Sequence, residues 1–425
     1  MLDINFIREE AALVKQALRA KGEEVDIDRL LELDQERRHI LSQSQALRHK
    51  RNEASAAIAQ MKSRGEDASG LIKEMRQVSE KIKTLKDELS GLQEEINDFL
   101  YRIPNIPAKD VPRGQALEDN VEVRRGGKPR RFDFEPKPHW DTGKALGLID
   151  FERASKVAGS NFLFYKGLGA LLERALVNFM LDLHTQEQNY IELFPPALAS
   201  SSSMSGTGQL PKLKEAMYKC ETDDLFLIPT AEVPLTNIHS GEIIPAEQLP
   251  LNYTGHCVCF RREAGAYGQK SKGLTRLHQF NMVALVKFVR PETSDAQLER
   301  LVADAEEVLK RLQLEYRVMK LCTGQLSFAA HKAFSLEARS PGLERWLEVS
   351  SLANFTDFQA RRLNICFRDE TGALHPVHTL NSAALALPRT MAAILEQYQR
   401  KDGSVEVPQV LRPFMHGLEV IEGAK

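Results

Sequence analysis

The 425-residue sequence has no long apolar run and few cysteines, and each of these absences excludes a class of protein. No stretch approaches the roughly 20 apolar residues that a membrane-spanning helix needs, so we expect no membrane segment. The N-terminus, MLDINFIREE, lacks the apolar core of a secretory signal and has acidic residues that transit peptides avoid, which predicts a cytoplasmic protein. The five cysteines include no C-x-x-C pair, which argues against a disulfide framework or a zinc site.

The common glycine-rich nucleotide motifs are also missing. Neither G-x-G-x-x-G nor G-x-x-x-x-G-K-[ST] occurs, so any nucleotide must be bound without a Rossmann turn or a P-loop. The net charge is −2, from 57 basic and 59 acidic residues, and does not by itself indicate nucleic-acid binding. Charge is nevertheless segregated, because residues 37–86 contain twelve Lys and Arg against five Asp and Glu, a local net charge of +7.

This basic region is predicted to form two long helices. Apolar residues alternate at steps of four and three between 71 and 99, the heptad spacing of a coiled coil, and recur every seven residues between 33 and 61. Segment 63–70 has turn composition, so the helices should fold back antiparallel. Pro104 ends the second helix, because proline lacks the backbone N–H and disfavours helix in the residue before it.

The proline therefore predicts a domain boundary between 1–102 and 103–425. The basic hairpin has two interpretations on charge alone. It is either a spacer or dimerisation coil with solvated side chains, or a surface that presents Lys and Arg to nucleic-acid phosphates.

Beyond residue 150 the pattern predicts a mixed sheet with helices. An apolar-striped helix is expected over 171–184 and a strand over 190–196, ended by proline. Residues 256–263 and 274–289 are predicted as two strands of a hairpin, joined by the glycine-rich segment 264–273.

Period-two alternation puts Arg261 and Glu263 on one face of the first hairpin strand. One face of the returning strand has Arg276, His278, Phe280, Met282 and Ala284. Guanidinium groups suit phosphates, a carboxylate suits the amine of a base, and an aromatic ring suits stacking, so these side chains are compatible with a triphosphate nucleotide. The alternative from the residues alone is an ordinary salt-bridged hairpin.

The amino-acid sequence of this hairpin resembles that of a known family. FRREAGAYGQKSKGLTRLHQF at 260–280 resembles motif 2 of class II aminoacyl-tRNA synthetases, and in particular of the seryl-tRNA synthetases. Further similar segments follow the family's order along essentially the whole chain: MLDINFIREE, IPNIP, GTGQLPKL, IPTAEVPLTN, EVSSLANFTDFQARR and HTLN followed by LALPRT.

The resemblance implies an α+β fold, with an N-terminal antiparallel helical coiled-coil hairpin and a class II antiparallel sheet flanked by helices. In this family the hairpin binds the long variable arm of a serine-type tRNA, which favours the nucleic-acid interpretation of the basic region. The segment that ends at Pro196 is similar to motif 1, the dimer element, so a homodimer is implied.

The implied activity is ATP-dependent attachment of serine to its tRNA through seryl-adenylate, with Mg²⁺ as cofactor. Arg261 and Arg389 are the implied catalytic residues. The implied ATP-binding residues are Arg261, Arg262, Glu263, Arg276, Phe280, Glu348, Val349, Ser350, Ser351 and Arg389. The implied amino-acid-binding residues are Thr230, Ala231, Glu232, Ala284 and Ala383, and the implied metal ligands are Glu348 and Ser351.

Within this set the resemblance assigns Arg261 to the α-phosphate, Glu263 to the adenine amine and Phe280 to adenine stacking. It assigns Arg276 to the outer phosphates and Arg389 to the γ-phosphate. A regular strand would put Ser351 on the face opposite Glu348, so a shared metal site predicts a bulge or a strand end between them.

The chain departs from the family at polar positions expected near the amino acid, where it has Ala284, Gln325, Ser335 and Ala383. Ala284 replaces a glutamate that contacts serine, and Ala383 replaces a hydroxyl residue. Ser382 or Gln325 could compensate for these losses. The alternatives left open are a paralogue that activates another small amino acid and a catalytically idle tRNA-binding or regulatory protein.

Overall fold

The computed structural model describes residues 1–263 and 272–423 and divides the chain into two units. The first is Leu2–Pro104, and the second is Asn105–Lys425 together with Met1. The helices of the first unit are α1 (Ile4–Glu9), α2 (Ala11–Lys21), α3 (Ile27–Ser63) and α4 (Ser69–Arg102). No helix in the described ranges is long and apolar enough to cross a membrane.

Helices α3 and α4 form the predicted antiparallel hairpin. Arg29 lies 3.5 Å from Glu95, and Lys50 lies 2.6 Å from Glu74. The start of α3 therefore contacts the end of α4, and a later part of α3 contacts an earlier part of α4, as in an antiparallel pair. Buried side chains at heptad spacing line the seam between the helices: Ala54, Met75, Val78 and Ile82. Helix α4 ends at Arg102, immediately before the Ile-Pro pair, which confirms the predicted stop.

A buried carboxylate fastens α1 to α3 within this unit. Asp34 exposes no side-chain surface and lies within 3.2 Å of Arg8, 2.8 Å of Arg37 and 3.1 Å of Arg38. Its burial opposes ionisation, but the guanidinium groups outweigh that cost, and the pKa of Asp34 is lowered from its usual value. A cluster of this kind makes the unfolding of the hairpin base sensitive to acid.

The second unit is an α+β fold around one large sheet. Its strands are β1 (Val121–Gly126), β2 (Ile149–Asp150), β3 (Phe164–Tyr165), β4 (Ile191–Glu192), β5 (Leu198–Ser200), β6 (Leu225–Leu227), β7 (Ile243–Pro245), β8 (Leu251–Phe260), β9 (Gln279–Val289), β10 (Tyr316–Lys320), β11 (Lys332–Ser340), β12 (Arg345–Asn354), β13 (Cys366–Arg368), β14 (Leu374–Pro376), β15 (His378–Ala386), β16 (Val405–Glu406) and β17 (Val420–Ile421). The main sheet has the order β1-β10-β11-β12-β15-β9-β8-β4. Every neighbouring pair in it is antiparallel except β4 with β8.

The helices of this unit are α5 (His139–Ala145), α6 (Phe151–Ala158), α7 (Leu168–Asp182), α8 (Ser201–Thr207), α9 (Glu232–Asn237), α10 (Ser294–Arg311), α11 (Phe358–Leu363) and α12 (Leu387–Gln397). Helices α7, α10 and α12 supply much of one apolar core and cover one face of the sheet, where Val283 and Leu285 of β9 point. Met282 and Ala284 alternate with them and face a second apolar cluster. The predicted fold class is confirmed, and the candidate site lies on this second face.

Several predicted element bounds are wrong, each for a local reason. The helix predicted over 171–184 begins earlier, at Leu168, and ends at Asp182 in a π-helical turn, Leu183–Glu187. The strand predicted over 190–196 is reduced to β4, and Pro195 and Pro196 lie outside it, because proline lacks the N–H that a ladder needs.

The hairpin strands also differ in their bounds from the predicted 256–263 and 274–289, because β8 begins and ends earlier and β9 begins later. Strand β8 ends at Phe260, and Glu263 has a φ of 48°, which no strand accommodates. A short 3₁₀ turn, Gly273–Thr275, precedes β9. Arg261, Glu263 and Arg276 therefore lie outside the ladder, and the predicted loop falls mostly on 264–271, outside the described residues.

Candidate active site

A cavity that is open to solvent lies at the end of the β8–β9 hairpin and beside β12 and β15. Most of the residues implied for ATP binding line it: Arg261, Glu263, Arg276, Phe280, Glu348, Val349, Ser350, Ser351 and Arg389. They come from several segments spread over residues 261–389, and the antiparallel sheet brings them together. The cavity is therefore rich in guanidinium groups and has an aromatic wall.

The backbone beyond β8 fixes Arg261. Its N–H donates to the His278 carbonyl over 2.9 Å, and its Nε donates to the Pro229 carbonyl over 3.0 Å. The guanidinium lies 5.1 Å from the centre of the Phe280 ring, a cation–π distance. The arginine that should meet a phosphate and the ring that should stack on a base are thus held as one unit.

Glu263 and Arg276 form a long ion pair beyond the ends of β8 and β9. The Glu263 carboxylate lies 3.9 Å from an Arg276 terminal nitrogen, and Arg276 keeps 47% of its side-chain surface exposed. Such a solvent-exposed pair contributes little to stability. Both groups are free to exchange this contact for contacts with a ligand.

Arg389 lies in the first turn of α12 and is held by hydrogen bonds to two backbone carbonyls in the cavity wall. Its Nε donates to the Thr275 carbonyl over 3.2 Å, and one terminal nitrogen donates to the Glu348 carbonyl over 2.9 Å and lies 3.5 Å from the Glu348 carboxylate. Burial lowers the pKa of Arg389, although the guanidinium stays charged at neutral pH. Partial desolvation raises the pKa of Glu348, and the Arg389 charge opposes that rise.

Strand β12 contains the predicted bulge. Glu337 of β11 pairs with Glu348 and Leu336 pairs with Ser350, so Val349 is the extra residue. Ser351 pairs with Ser335, two positions from Glu337, and therefore shares a face with Glu348. The bulge brings the two implied metal ligands to the same side of the strand and is confirmed.

Behind this cavity Glu232 is a buried carboxyl group. It is 9% exposed, and Gln359 donates to its Oε1 over 2.6 Å. Burial raises the pKa of Glu232 to about 7, while hydrogen bonds and the Arg261 charge oppose the rise. The Thr230 hydroxyl accepts from the Glu232 N–H over 3.2 Å and lies 3.7 Å from the Met282 sulfur. A carboxyl group poised in this way can receive an ammonium ion.

Some implied residues are not among those that line the cavity: Arg262, Thr230, Ala231, Glu232 and Ala284. Arg262 is exposed and its N–H donates to the Ala216 carbonyl. The expectation that Ala284 points into the cavity is only half right. It shares the face of Phe280 and Met282, but it is 2% exposed and its short side chain packs in the second apolar cluster.

Two other departures from the family pattern, Gln325 and Ser335, are not among the residues that line the cavity. Gln325 donates to the Gln115 carbonyl over 2.7 Å. Ser382 is 1% exposed, and its hydroxyl donates to the Ala383 carbonyl and lies 3.1 Å from the Ser350 hydroxyl. Ser335 is fully buried. Neither Gln325 nor Ser382 lines the cavity, whereas Ala383 does.

Sequence reasoning missed the residues that shape the cavity walls: Leu274, Thr275, Leu277, Ala386 and Pro388. They are mainly apolar and act through shape or through backbone carbonyls, so no chemical motif marks them. Their sequence signal is position alone, because each lies within three residues of an implied arginine or aromatic residue. No cluster of three or more His, Cys, Asp or Glu suited to a metal occurs within 1–263 and 272–423.

Comparison with known proteins identifies the same family from both ends of the chain. Residues 1–107 match the model of the seryl-tRNA synthetase N-terminal domain, and residues 218–398 match that of the class II tRNA synthetase core domain for G, H, P, S and T. A serine–tRNA ligase of Caldanaerobacter subterraneus is 55% identical over 98% of each chain. One from Geobacter sulfurreducens is 50% identical over 99% of this chain and 100% of its own.

Comparison with solved structures supports the same family. The seryl-tRNA synthetase of Pyrococcus horikoshii, solved in complex with ATP, superposes with a TM-score of 0.94 at 38% identity and covers 100% of both chains. Because the identity is high and extends over the full length, the chain belongs to the serine–tRNA ligase family of class II aminoacyl-tRNA synthetases.

Proposed function

We propose that the chain attaches serine to a tRNA in two steps, forming seryl-adenylate from serine and ATP and then transferring the seryl group to the tRNA. The observation that supports this most directly is the convergence of Arg261, Arg389 and Glu348 on one cavity beside Phe280. Relatives of this similarity favour serine–tRNA ligation over both alternatives from the sequence, a paralogue for another amino acid and an idle binding protein.

ATP would occupy the cavity with its base against Phe280. There the Arg261 guanidinium, now 5.1 Å from the ring centre, would meet the α-phosphate and leave the ring face to adenine. Glu263 would accept from the adenine amine, and Arg276, released from its 3.9 Å contact with Glu263, would reach the outer phosphates. Arg389 lies on the opposite wall and suits the γ-phosphate.

The residues present are compatible with Mg²⁺ bound mainly through phosphates. Glu348 and Ser351 offer one carboxylate and one hydroxyl on the same face of β12, and Mg²⁺ in ATP sites usually takes one or two protein oxygens plus phosphates and water. When bound, the ion would neutralise phosphate charge. One terminal nitrogen of Arg389 lies 3.5 Å from the Glu348 carboxylate, and both residues line the cavity.

Serine would lie between Glu232 and the α-phosphate position. The Glu232 carboxyl and the Thr230 hydroxyl would bind its ammonium group, beside Ala231, which is fully buried. The serine carboxylate would then attack the α-phosphorus, and the arginines would stabilise the negative charge that develops there. Catalysis of this type consists of positioning and charge neutralisation.

We assign tRNA binding to residues 1–102 and catalysis to 103–425. The exposed basic side chains of α3 and α4, among them Arg48, Lys81 and Lys83, suit the phosphates of a long variable arm. We also propose that the chain forms a homodimer through the motif-1 segment, in which Phe194 is 92% exposed. Location in the cytoplasm stays a prediction of the sequence.

The test is amino-acid-dependent ATP–pyrophosphate exchange with serine, alanine, glycine and threonine, followed by charging of tRNA. We expect exchange with serine and transfer of serine to serine-type tRNA. Exchange with another amino acid in preference to serine, or no exchange with any of them, would refute the proposed function.

A further inference from the structure

A fully buried pair of side chains lies outside the residues assigned so far. His139 is the first residue of α5 and Glu396 lies in the last turn of α12, and neither exposes any side-chain surface. Glu396 Oε1 accepts from the His139 backbone N–H over 3.0 Å and from the ring Nδ1 over 2.7 Å. Glu396 Oε2 accepts from the Ser340 hydroxyl and from the Gly342 N–H. The carboxylate thus joins α5, α12 and the end of β11.

The second ring nitrogen of His139 has its own partner. The backbone N–H of Leu274 donates to His139 Nε2 over 3.0 Å. Because a backbone N–H can only donate, Nε2 carries the lone pair and Nδ1 carries the proton, an assignment made from the partners. His139 therefore connects the Glu396 carboxylate to the segment that returns from the hairpin loop.

That segment is the 3₁₀ turn Gly273–Thr275, which is followed immediately by Arg276. The Thr275 carbonyl accepts from Arg389 Nε over 3.2 Å, and Arg389 lies on the same helix as Glu396. The hydrogen bonds thus form a closed circuit that runs from Arg389 through the turn and His139 to Glu396 and back along α12.

The turn also packs closely against the histidine ring. Gly273 has a φ of +74°, and a Cβ added there would lie 2.4 Å from His139 Nε2 and 2.6 Å from the Trp140 ring. A side chain at this position would push the turn away from the ring. The backbone of the turn is therefore located by contact with His139 as well as by the Leu274 hydrogen bond.

We propose that His139 is a positioning residue for ATP. By accepting from the Leu274 N–H it locates the Gly273–Thr275 turn, and the turn places Arg276 and orients Arg389 through the Thr275 carbonyl. The inference rests on the proposed function in that its ligand is ATP at the same cavity. It assigns His139 no contact with substrate.

Two substitutions separate the two hydrogen bonds of the ring. The amide nitrogen of His139→Asn can replace Nδ1 and still donate to Glu396, but no group then accepts from Leu274. The amide oxygen of His139→Gln can replace Nε2 as the acceptor, but the donor to Glu396 is lost. We expect H139N to raise the KM for ATP in pyrophosphate exchange about five- to tenfold, the usual effect of leaving one buried donor without a partner. H139Q should stay within about twofold, and the KM for serine should change in neither variant.

Ser340→Ala is the matched control, because it removes a donor from the other oxygen of Glu396 and leaves the histidine contacts intact. It should lower the melting temperature without changing the KM for ATP. If H139N does not fold, Gly273→Ala tests the same contact from the turn and should raise the KM for ATP similarly. An unchanged KM for ATP in H139N, equal effects of H139N and H139Q, or an equal effect of S340A would overturn the proposal.

Failure of the proposed function is distinguishable from failure of this inference. If the unmodified chain shows no serine-dependent exchange, the proposed function is wrong, but calorimetric titration with ATP and MgCl₂ still compares the variants. Weaker ATP binding in H139N than in H139Q supports the positioning role. Equal ATP affinity in the two variants overturns it.

Discussion

The protonation of Glu232 should control how serine is bound. Burial raises the pKa of its carboxyl to about 7, well above that of an exposed glutamate. A serine ammonium group is attracted by the carboxylate and not by the neutral acid, so binding should improve as the group loses its proton. Glu232→Gln keeps the size of the side chain and removes the titration.

The size of the effect follows from this pKa. With a value of about 7, about a tenth of the free enzyme has the carboxylate at pH 6 and about three quarters has it at pH 7.5. The kcat/KM for serine should therefore rise about eightfold over this interval, because this parameter reports the titration of the free enzyme. In E232Q the parameter should be lower and nearly independent of pH.

Pyrophosphate exchange at several serine concentrations, measured at half-unit steps of pH, gives both profiles. The kcat/KM for ATP at saturating serine is the internal control, because Glu232 does not line the cavity proposed to bind ATP. A flat serine profile in the unmodified chain, or a rise of the same size in E232Q, would refute the assignment of Glu232 to the ammonium group.

The same pKa has a consequence for stability. A carboxyl whose pKa is higher in the folded than in the unfolded chain favours folding when protonated, and this contribution is lost as the pH rises from the unfolded value of 4.5 to about 7. The accumulated loss is on the order of 3 kcal/mol by linkage. Denaturant unfolding of the unmodified chain and of E232Q should therefore diverge over that window, with E232Q relatively more stable at the upper end.

Three further outcomes are expected. Arg261→Ala and Arg389→Ala should each weaken ATP use at least about tenfold, because each removes a charge-assisted contact, and pyrophosphate exchange at varied ATP measures this. Deletion of 30–100 should leave exchange largely intact and abolish tRNA charging; equal loss of both activities would contradict the division of labour. The double substitution Ala284→Glu with Ala383→Ser should raise serine-dependent exchange, and no gain over an already efficient and selective parent would show that the missing groups are dispensable.

Sequence patterns predicted the hairpin of α3 and α4 well, because a coiled coil is specified by local periodicity. The apolar spacing between 71 and 99 and the proline at 104 determine both the seam and the end of α4. The turn between the helices was predicted equally well, since its composition is unsuited to helix. Nothing distant in the sequence needs to be known for these features.

The hairpin around Arg261 was harder to predict in detail. Alternation suggested that Arg261, Glu263 and Arg276 belong to strands, but they lie beyond β8 and before β9, where φ values and backbone contacts decide direction. They still meet in one cavity because the antiparallel pairing of β8 and β9 fixes where both chain ends emerge. The sequence therefore predicted that these three side chains lie near one another, but it did not predict the backbone conformation at each of them.

The roles of Ala284 and His139 illustrate a second limit. The face occupied by Ala284 follows from period two, whereas its depth depends on the packing of Met282 and its neighbours, which alternation does not describe. The contact of His139 with Leu274 joins segments more than a hundred residues apart, and no spacing rule connects them. Contacts of this kind, between single side chains far apart in sequence, can be identified only from the three-dimensional structure.

The bulge makes the register of β12 independent of Val349, because this residue pairs with no residue of β11. The Val349 side chain is 1% exposed and packs in the apolar core, where another aliphatic residue of similar volume could replace it. Deletion of the same residue would remove the bulge but leave the pairs Glu337–Glu348 and Leu336–Ser350 adjacent in a regular ladder, so Ser351 and Leu352 would keep their present faces. Variation at position 349 should therefore be limited by the apolar volume that the side chain fills, and not by the register of the strand, since the ladder on either side of the bulge is the same with or without the extra residue.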